Sequence, residues 1–414
     1  MSGCKRFFIL TLGCPKNLVD SERIAGALSS LGHSIVFSPH EADMIILNTC
    51  AFISAAEDEA KEYIDRFSKE KPLLVVGCLP ARRKGLKRRY GDTAPEAEMV
   101  IQLSDAIFRD PEAGTRLIDT APYAYLKIAE GCSRRCSFCV IPRIRGRLRS
   151  RRIEDIVSEA RALIELGKRE VIIVAQDTSQ FGRDTGESLE KLLVEIDRLE
   201  GDFWLRLMYL HPVGMTRRLA LTLRSLDHLV PYLHMPVQHV SDRVLRAMLR
   251  AGGLKAVRRA IGLIERYLPD AFLRTEIMVG FPEETEDDFK LVISAIESGL
   301  FRRVAVFPFF REKGSPAYKM PQIPAHIIDS RYQEAAQAAR GLHERVQGSL
   351  VGNELRVIVD EPGLGRTEYD APEVDFSVAV PEGLEPGSLC SARIIGVDEE
   401  GDLMAEISPD PSSF

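Results

Sequence analysis

Residues 130–142 read EGCSRRCSFCVIP and carry the most specific pattern in the chain. It places Cys132, Cys136 and Cys139 at the spacing C-x3-C-x2-C, directly after an apolar run at 125–128 that predicts a β-strand. Three thiolates this close on one loop can hold one compact metal site, and no fourth cysteine lies near them in the sequence. The stretch therefore predicts a metal-binding loop on a β/α unit.

A 4Fe-4S cube normally takes one cysteine for each iron, so three cysteines leave one iron open. An open iron can chelate the amino and carboxylate groups of S-adenosylmethionine, and an electron from the cluster can then release a 5′-deoxyadenosyl radical. We therefore expect Cys132, Cys136 and Cys139 to be catalytic cluster ligands, with Phe138 beside the adenine. A structural zinc site is one alternative, although zinc needs a fourth ligand and no histidine follows at finger spacing. Three incidental core cysteines are the other alternative.

The segment around this motif predicts an α/β domain, an open β/α barrel over 122–345. Short apolar runs alternate there with amphipathic runs of helical period. We expect strands at 125–128, 171–175, 204–209, 233–235, 274–279 and 303–307, with helices at 154–166, 187–199, 241–251, 254–267, 285–298 and about 326–349. Gln176, Asp177 and Gln238 follow predicted strands, at the carboxyl edge where β/α barrels bind ligands. We expect these three, and by the same reasoning His211 and His239, to line an S-adenosylmethionine pocket.

The first part of the chain, 1–115, predicts a separate parallel α/β domain. Continuous apolar runs at 7–12, 44–47 and 73–76 are separated by amphipathic helices, as in a parallel sheet covered on both faces. Cys14, Cys50 and Cys78 each follow one of these runs and therefore meet at the carboxyl edge of the sheet. We expect them to ligate a second 4Fe-4S cluster with one open iron. Buried structural cysteines are the alternative.

The other two of the eight cysteines, Cys4 and Cys390, lie away from both groups of three. The sequence shows no signal peptide pattern and no apolar run long enough to span a membrane, so we expect a cytoplasmic protein. Disulfides are therefore not expected. Cysteine chemistry in such a protein points to metal binding or catalysis.

The last part, 350–410, has another composition. Short β-branched runs punctuated by proline and glycine predict a small five-stranded antiparallel β barrel. Residues 353–414 hold 15 Asp and Glu against 3 Arg and no Lys, a net charge of −12, so the remaining residues carry +6 of the total −6. An acidic barrel should repel nucleic-acid phosphate and attract a basic protein. A solubility role for an ordinary acidic surface is the alternative.

The segments LGCPKNLVDSE, LNTCAFI, VGCLPAR and EGCSRRCSFCVIP together resemble the radical S-adenosylmethionine methylthiotransferase family over nearly the whole chain. The resemblance implies a methylthiotransferase domain, a radical S-adenosylmethionine domain and a C-terminal TRAM barrel. Within the family, GCPKNLVDSE and GCLPAR are similar to the branch that acts on an aspartate in protein twelve of the small ribosomal subunit. The sister branch, which modifies isopentenyl-adenosine in tRNA, usually reads GCQMN and is the alternative function.

The resemblance implies the reaction and its partners. A radical made at the first cluster removes a β-hydrogen from the aspartate, sulfur from the second cluster is delivered to that carbon, and a second S-adenosylmethionine supplies the methyl group. The implied cofactors are two 4Fe-4S clusters and S-adenosylmethionine. The implied partners are a basic ribosomal protein, an electron donor and a sulfur source, with no membrane partner and with tRNA disfavoured. A non-catalytic iron–sulfur protein that binds a ribosomal assembly is a hypothesis of another class.

Two further features concern the site. The family's GFPGET appears as GFPEET, with Glu283 in place of glycine. An arginine-rich run follows the cluster loop, and some of its members are candidates to pair with the carboxylate of S-adenosylmethionine or of the substrate. These are Arg143, Arg145, Arg147, Arg149, Arg151 and Arg152.

Overall fold

The computed structural model describes residues 4–91, 96–110, 116–119 and 121–407. Its first domain is a five-stranded sheet of order β2-β1-β3-β4-β5, parallel except for the antiparallel edge strand β5. The strands are β1 (Arg6–Thr11), β2 (Ser34–Ile35), β3 (Met44–Thr49), β4 (Leu73–Gly77) and β5 (Arg89–Tyr90). The helices are α1 (Pro15–Ser30), α2 (Ser54–Glu70), α3 (Cys78–Arg82) and α4 (Glu96–Arg109).

The apolar runs of this domain form strands because helices cover both faces of the sheet. Every residue of β3 is buried, which explains why MIILNT shows no alternation of apolar and polar residues. Residues 90–121 show little regular pattern in the sequence, yet the structure places helix α4 among them. Helix α4 packs Ala97 and Val100 against Leu74 and Val76 of β4. Glycine and proline just before it obscured a helical period that its apolar residues do possess.

The second domain is a sheet of six parallel strands in the order β13-β12-β11-β10-β9-β6, which confirms the open β/α barrel. These strands are β6 (Tyr123–Lys127), β9 (Glu170–Val174), β10 (Trp204–Leu207), β11 (Leu229–His234), β12 (Phe272–Val279) and β13 (Arg303–Pro308). A small ribbon of β7 (Ala129–Glu130) and β8 (Arg149–Ser150) flanks the cysteine loop.

The barrel helices lie between these strands, close to the predicted ranges. They are α5 (Ile141–Ile144), α6 (Ile153–Glu165), α7 (Leu189–Asp197), α8 (Arg217–Arg224), α9 (Asp242–Ala247), α10 (Gly253–Tyr267), α11 (Glu286–Glu297) and α12 (Ala325–Leu350). Helix α8 was not predicted, because its eight residues hold four apolar side chains among charged ones. Every helix in the described part of the chain is too short or too polar to span a bilayer.

The third domain is a closed five-stranded barrel of order β14-β15-β16-β18-β17, as the sequence predicts. Its strands are β14 (Glu354–Glu361), β15 (Leu364–Thr367), β16 (Val378–Ala379), β17 (Leu389–Val397) and β18 (Leu403–Ile407). Four of its pairings are antiparallel, and the pairing of β16 with β18 is parallel. Strand β15 has no clear signal in the sequence, because LGRT combines a glycine with two polar residues.

The connection between β15 and β16 closes the amino-terminal opening of the β/α barrel. Together with Arg366 near the end of β15, it receives at least one polar contact from each of the six parallel strands. The contacts are Tyr125 Oη to Pro372 O (3.3 Å), Glu170 Oε2 to Arg366 Nη1 (2.7 Å), Arg206 Nη1 to Glu368 O (3.1 Å), Tyr232 Oη to Asp375 Oδ2 (2.7 Å), Arg274 Nε to Asp375 Oδ1 (3.0 Å) and Arg303 Nη1 to Asp370 Oδ1 (2.6 Å). We call residues 366–375 the barrel plug.

The barrel plug shows that some acids of the third domain are buried in ion pairs. The Asp370 and Asp375 side chains are buried against arginines of the neighbouring domain, and Asp360 and Glu368 pair with arginines of the small barrel itself. Part of the net charge of −12 therefore neutralises cations inside the molecule rather than facing solvent. Burial alone would raise the pKa of Asp375, but the charges of Arg303 and Arg274 hold it well below its usual range.

Asp375→Asn should destabilise the protein by about 3 kcal/mol, because the buried side chains of Arg274 and Arg303 would each lose one of their two carboxylate partners. Thermal and denaturant unfolding of the purified chain measure this effect. A carboxylate with a lowered pKa stabilises the fold above its unfolded pKa of about 3.9 and loses that contribution on further acidification. The difference from wild type should therefore be constant above about pH 5 and shrink below it.

Glu382→Gln is the matched control, since Glu382 is an exposed acid of the same barrel. It should change stability by less than about 0.5 kcal/mol. Equal stability of the Asp375→Asn variant and this control would contradict the role given to the plug.

Candidate functional site

Three cysteines of the first domain meet at the carboxyl edge of its sheet. Cys14 caps α1 directly after β1, Cys50 follows β3, and Cys78 begins α3 after β4. Gly13 has a φ of +93°, and a Cβ at this position would lie 2.6 Å from Cys50 Cβ and 3.0 Å from Cys50 Sγ. Glycine before the first cysteine is therefore needed for the close approach of two cysteine loops.

The other three cysteines lie on the loop between β7 and α5. The Cys132 thiol accepts hydrogen bonds from Gln180 Nε2 at 3.1 Å and from the Arg134 amide at 3.4 Å. The Arg250 guanidinium lies 3.6 Å from Cys136 Sγ. Donors of this kind orient a sulfur atom that binds a metal and tune the bond it makes.

Both groups of three cysteines line one cavity of about 460 Å³ between the first and second domains. The loops that carry them come from two separate sheets, so only the packing of the two domains brings them together. Cys4 is exposed elsewhere, and Cys390 lies in the small barrel with Val357 O as its partner.

Four thiols of the cavity are poorly placed to ionise by themselves. Burial raises the pKa of Cys78 and of Cys139 to about 12, and it also raises the pKa values of Cys50 and Cys132. Negative charge on the other cysteines of the same group further raises the pKa of Cys78 and of Cys139. A cationic iron centre removes both penalties, since metal binding displaces the thiol protons. The donor set therefore fits two iron–sulfur clusters.

No three histidine, cysteine or acidic side chains within the described ranges converge closely enough to chelate one metal ion. A four-iron cube does not require such convergence, because each cysteine binds a different iron.

A buried charge network joins the two cysteine loops. Arg145 donates to Cys78 Sγ (3.3 Å), to Asp20 Oδ2 (2.7 Å) and to Glu130 Oε2 (3.0 Å). Lys127 contacts the same two carboxylates, so two cations face two anions with almost no exposure. Asp20 belongs to α1 of the first domain and the other members belong to the second. The network therefore fixes the cysteine loops of the two domains relative to each other.

The residues expected to line an S-adenosylmethionine pocket lie in this same cavity. Phe138, Gln176, Asp177 and Gln238 all contribute to its wall, as does His211. Gln176 Nε2 donates to Glu130 Oε1 at 2.7 Å, and Asp177 Oδ2 accepts from Arg134 Nε at 2.8 Å. Burial and nearby arginines lower the pKa of His211 far below its usual range, so its ring is neutral.

His239 was expected beside this pocket, and the structure differs. Its ring is buried between the Ser241 amide (2.9 Å to Nδ1) and Glu284 (3.3 Å to Nε2), outside the cavity wall. These two contacts of His239 hold the loop after β11 in place and leave the ring no role in binding a ligand in the cavity.

Sequence comparison gives the family. Models for the Radical SAM superfamily, the TRAM domain and the Uncharacterized protein family UPF0004 match residues 126–296, 351–407 and 6–101. The chain is 37% identical to the ribosomal protein uS12 methylthiotransferase RimO of Syntrophus aciditrophicus, covering 97% of this chain and 98% of that protein. It is 38% identical to the RimO of Aquifex aeolicus over 94% of each. The chain belongs to the RimO family of ribosomal protein uS12 methylthiotransferases.

The fold is also similar to a solved structure. The radical S-adenosylmethionine methyltransferase TsrM from Kitasatospora setae, with cobalamin and a [4Fe-4S] cluster bound, superposes with a TM-score of 0.55 at 14% identity. The alignment covers 98% of this chain and 87% of that one. At this identity the likeness shows a shared fold.

The arginines that follow the cluster loop in this RimO-family chain are mostly engaged within the protein. Arg151 pairs with Glu159 (2.7 Å) and Arg152 with Asp155 (2.6 Å). Of the six candidates, Arg145 contributes to the cavity wall. The alternation of arginine with other residues gave no way to separate this member of the cavity wall from the arginines that lie outside it.

Sequence reasoning missed other charged residues of the cavity. Lys16, Arg134, Arg250 and Glu276 line it, together with Tyr209. Lys16 directly follows the GCP turn and Arg134 lies inside the cysteine motif, so proximity to the motifs was a usable signal for both. Arg250 and Glu276 come from distant elements, and the sequence carries no signal for them.

The glutamate in the GFPEET segment places a non-glycine residue in a strained backbone conformation. Glu283 adopts a left-handed backbone with φ of +66°, the conformation that glycine accommodates without a steric penalty. Its carbonyl accepts a hydrogen bond from Arg243 Nη2 at 2.7 Å, which holds the loop in this shape.

Arg145→Met should destabilise the protein by about 3 kcal/mol or more, because Asp20 and Glu130 would share the single cation of Lys127. It should also lower the iron content of reconstituted protein, since Arg145 positions the Cys78 loop. Unfolding experiments and iron analysis measure the two effects.

Arg147→Met, two residues further along and exposed, is the matched control and should resemble wild type in both measurements. The proposed role of the network is wrong if the two variants behave alike.

Proposed function

We propose that this protein is a radical S-adenosylmethionine methylthiotransferase that adds a methylthio group to the β-carbon of an aspartate in ribosomal protein uS12. The single observation that carries the proposal is that six cysteines from two domains line one cavity. Methylthiolation of an unactivated carbon needs a radical source and a sulfur source within reach of the same atom, and a shared cavity satisfies this need. The RimO names of the relatives supply the substrate.

In this proposal Cys132, Cys136 and Cys139 hold one 4Fe-4S cluster, and Cys14, Cys50 and Cys78 hold the other. When bound, the clusters and S-adenosylmethionine supply the radical, the sulfur and the methyl group of the reaction. Phe138, Gln176, Asp177 and Gln238 bind S-adenosylmethionine. The support for these four is their place in the wall of the cavity, beside the first group of cysteines.

The cavity wall is partly apolar, and the rest of the barrel supports its shape. Apolar groups, among them Phe52, Ile53 and Pro236, make up part of the wall. The barrel plug closes the amino-terminal opening of the β/α barrel behind it. A radical reacts with whatever hydrogen lies nearest, so a dry and rigid enclosure favours reaction at the substrate carbon.

The same proposal includes the setting of the reaction. We infer a cytoplasmic location, since the named substrate is a ribosomal protein, and an external electron donor and sulfur source. The relatives are named for a protein substrate, which favours uS12 over tRNA. We also propose functional domains at 1–115, 122–345 and 350–410.

Anaerobically reconstituted protein should contain about eight irons per chain and should add one methylthio group to uS12 but none to tRNA. The variant with Cys14, Cys50 and Cys78 all changed to Ala should contain about four irons. It should still cleave S-adenosylmethionine under dithionite while leaving uS12 unmodified. Iron analysis, nucleoside detection and mass spectrometry of both substrates measure these outcomes.

Cys390→Ala is the control and should match wild type, because Cys390 lies outside the cavity. Modification of tRNA alone would favour the sister activity. Failure of the wild-type protein to cleave S-adenosylmethionine would favour a non-catalytic iron–sulfur protein.

We also propose that the small barrel attracts the basic substrate protein through its exposed acids. Eight glutamates of the described barrel residues are exposed, against the single exposed arginine Arg393. They are Glu354, Glu361, Glu373, Glu382, Glu385, Glu399, Glu400 and Glu406. Charges of one sign on a surface speed association with a partner of the opposite sign.

The variant Glu399→Lys with Glu400→Lys should therefore associate with uS12 more slowly, by roughly 3- to 10-fold at low salt, and added salt should reduce the difference. Surface plasmon resonance at several salt concentrations measures the rate. Glu59→Lys with Glu62→Lys makes the same charge change on α2 and is the control. Equal association rates for the two double variants would rule out docking through the barrel.

A further inference from the structure

Lys16 places a buried cation in the cavity wall. The residue directly follows the cysteine turn at the start of α1, and only 8% of its surface is exposed. Its ammonium group lies 3.6 Å from the centre of the Tyr209 ring. A buried lysine is costly unless an anion or another electron-rich group faces it. The aromatic ring meets only part of this requirement.

The carboxylate nearest in the cavity wall is already engaged. Glu276 accepts from His234 Nε2 at 3.1 Å and from Arg274 Nη1 at 3.4 Å. None of the described carboxylates forms an ion pair with Lys16, whose hydrogen-bonding neighbour is Tyr209. The ammonium group therefore has capacity left for an anionic ligand.

The other cations of the cavity separate into two kinds. Arg134 and Arg145 are paired with carboxylates of the protein. Arg250 lies against Cys136, in the group of cysteines where S-adenosylmethionine is proposed to bind. Lys16 belongs to the other group, two residues after Cys14 at the start of α1. An anion bound by Lys16 would therefore lie beside the second group of cysteines.

Tyr209 holds the lysine in this position at a cost in backbone strain. It has a φ of +59°, which is unfavourable for an aromatic residue, and its ring packs on His234 with centroids 4.9 Å apart. Strain of this kind persists where the surrounding structure enforces it, and it clusters at ligand sites.

We infer that Lys16 binds the side-chain carboxylate of the substrate aspartate and so sets the specificity of the site for an acidic residue. This inference rests on the proposed function, and it names the residue that recognises the substrate. The carboxylate is attached to the carbon that is modified, so an ion pair with Lys16 positions that carbon beside the second group of cysteines. An amide or an uncharged base in the same place would leave the ammonium group unpaired.

The test compares two synthetic uS12 peptides, one with the target aspartate and one with asparagine in its place, on reconstituted protein with S-adenosylmethionine present. Wild type should bind the aspartate peptide roughly 10- to 100-fold more tightly, as expected for a hydrogen-bonded charge pair. Lys16→Met should bind both peptides with equal, weak affinity, and Lys16→Arg should retain much of the preference. Lys290→Met, on the exposed face of α11, is the matched control and should equal wild type.

Several outcomes overturn the inference. Equal binding of both peptides by wild type is one such outcome, which needs no variant and stands even if the aspartate peptide is methylthiolated. Persistence of the preference in Lys16→Met is another. A fall in the iron content of Lys16→Met to about four per chain is the third, and it would assign the lysine to cluster binding instead. A wild-type protein that methylthiolates neither uS12 nor its peptide contradicts the proposed function itself, which is a distinguishable result.

Discussion

The packing of the first two domains depends on one buried pair of cations facing one buried pair of anions. Arg145 and Lys127 of the barrel domain share Asp20 of α1 and Glu130 of the cysteine loop. Removing any member leaves an uncompensated charge among buried side chains, so the arrangement tolerates little displacement. Because Glu130 immediately precedes the turn to Cys132, and Arg145 contacts Cys78, this constraint fixes both sets of thiols at once. The pairing of these charges holds the two domains in the arrangement that forms the cavity.

A second buried network supports the cavity from the other end of the barrel. Asp375 of the barrel plug pairs with Arg274 of β12. Arg274 also contacts Glu276, which lies two residues further along the same strand and closer to the cavity. Burial would raise the pKa of Glu276, but its hydrogen bond from His234 and the nearby charges lower it to about 2. The acidic third domain is thus linked to the wall of the cavity through two side chains of one strand. Its role in the molecule is internal as well as external.

Much of the fold followed from simple patterns in the sequence. Continuous apolar runs predicted the parallel strands, and a cysteine after three of them predicted a common edge, because parallel strands end on the same side. Interactions between distant segments could not be predicted. The acidity of residues 353–414 was interpreted as a surface property, yet Asp370 and Asp375 are buried against Arg303 and Arg274. Composition counts charges without showing which of them face solvent.

The same distinction explains how far the site could be predicted. The six cysteines could be identified from residue type and position in the sequence. Lys16 could not, because only the structure shows that its ammonium group lies over the Tyr209 ring. Tyr209 comes from the end of β10, almost two hundred residues further along, and reaches the lysine because it adopts a left-handed backbone. Motifs therefore identify the groups that supply chemistry. The groups that select the substrate come from distant elements, which the two charge networks bring together at the cavity. A three-dimensional structure is needed to recognise them.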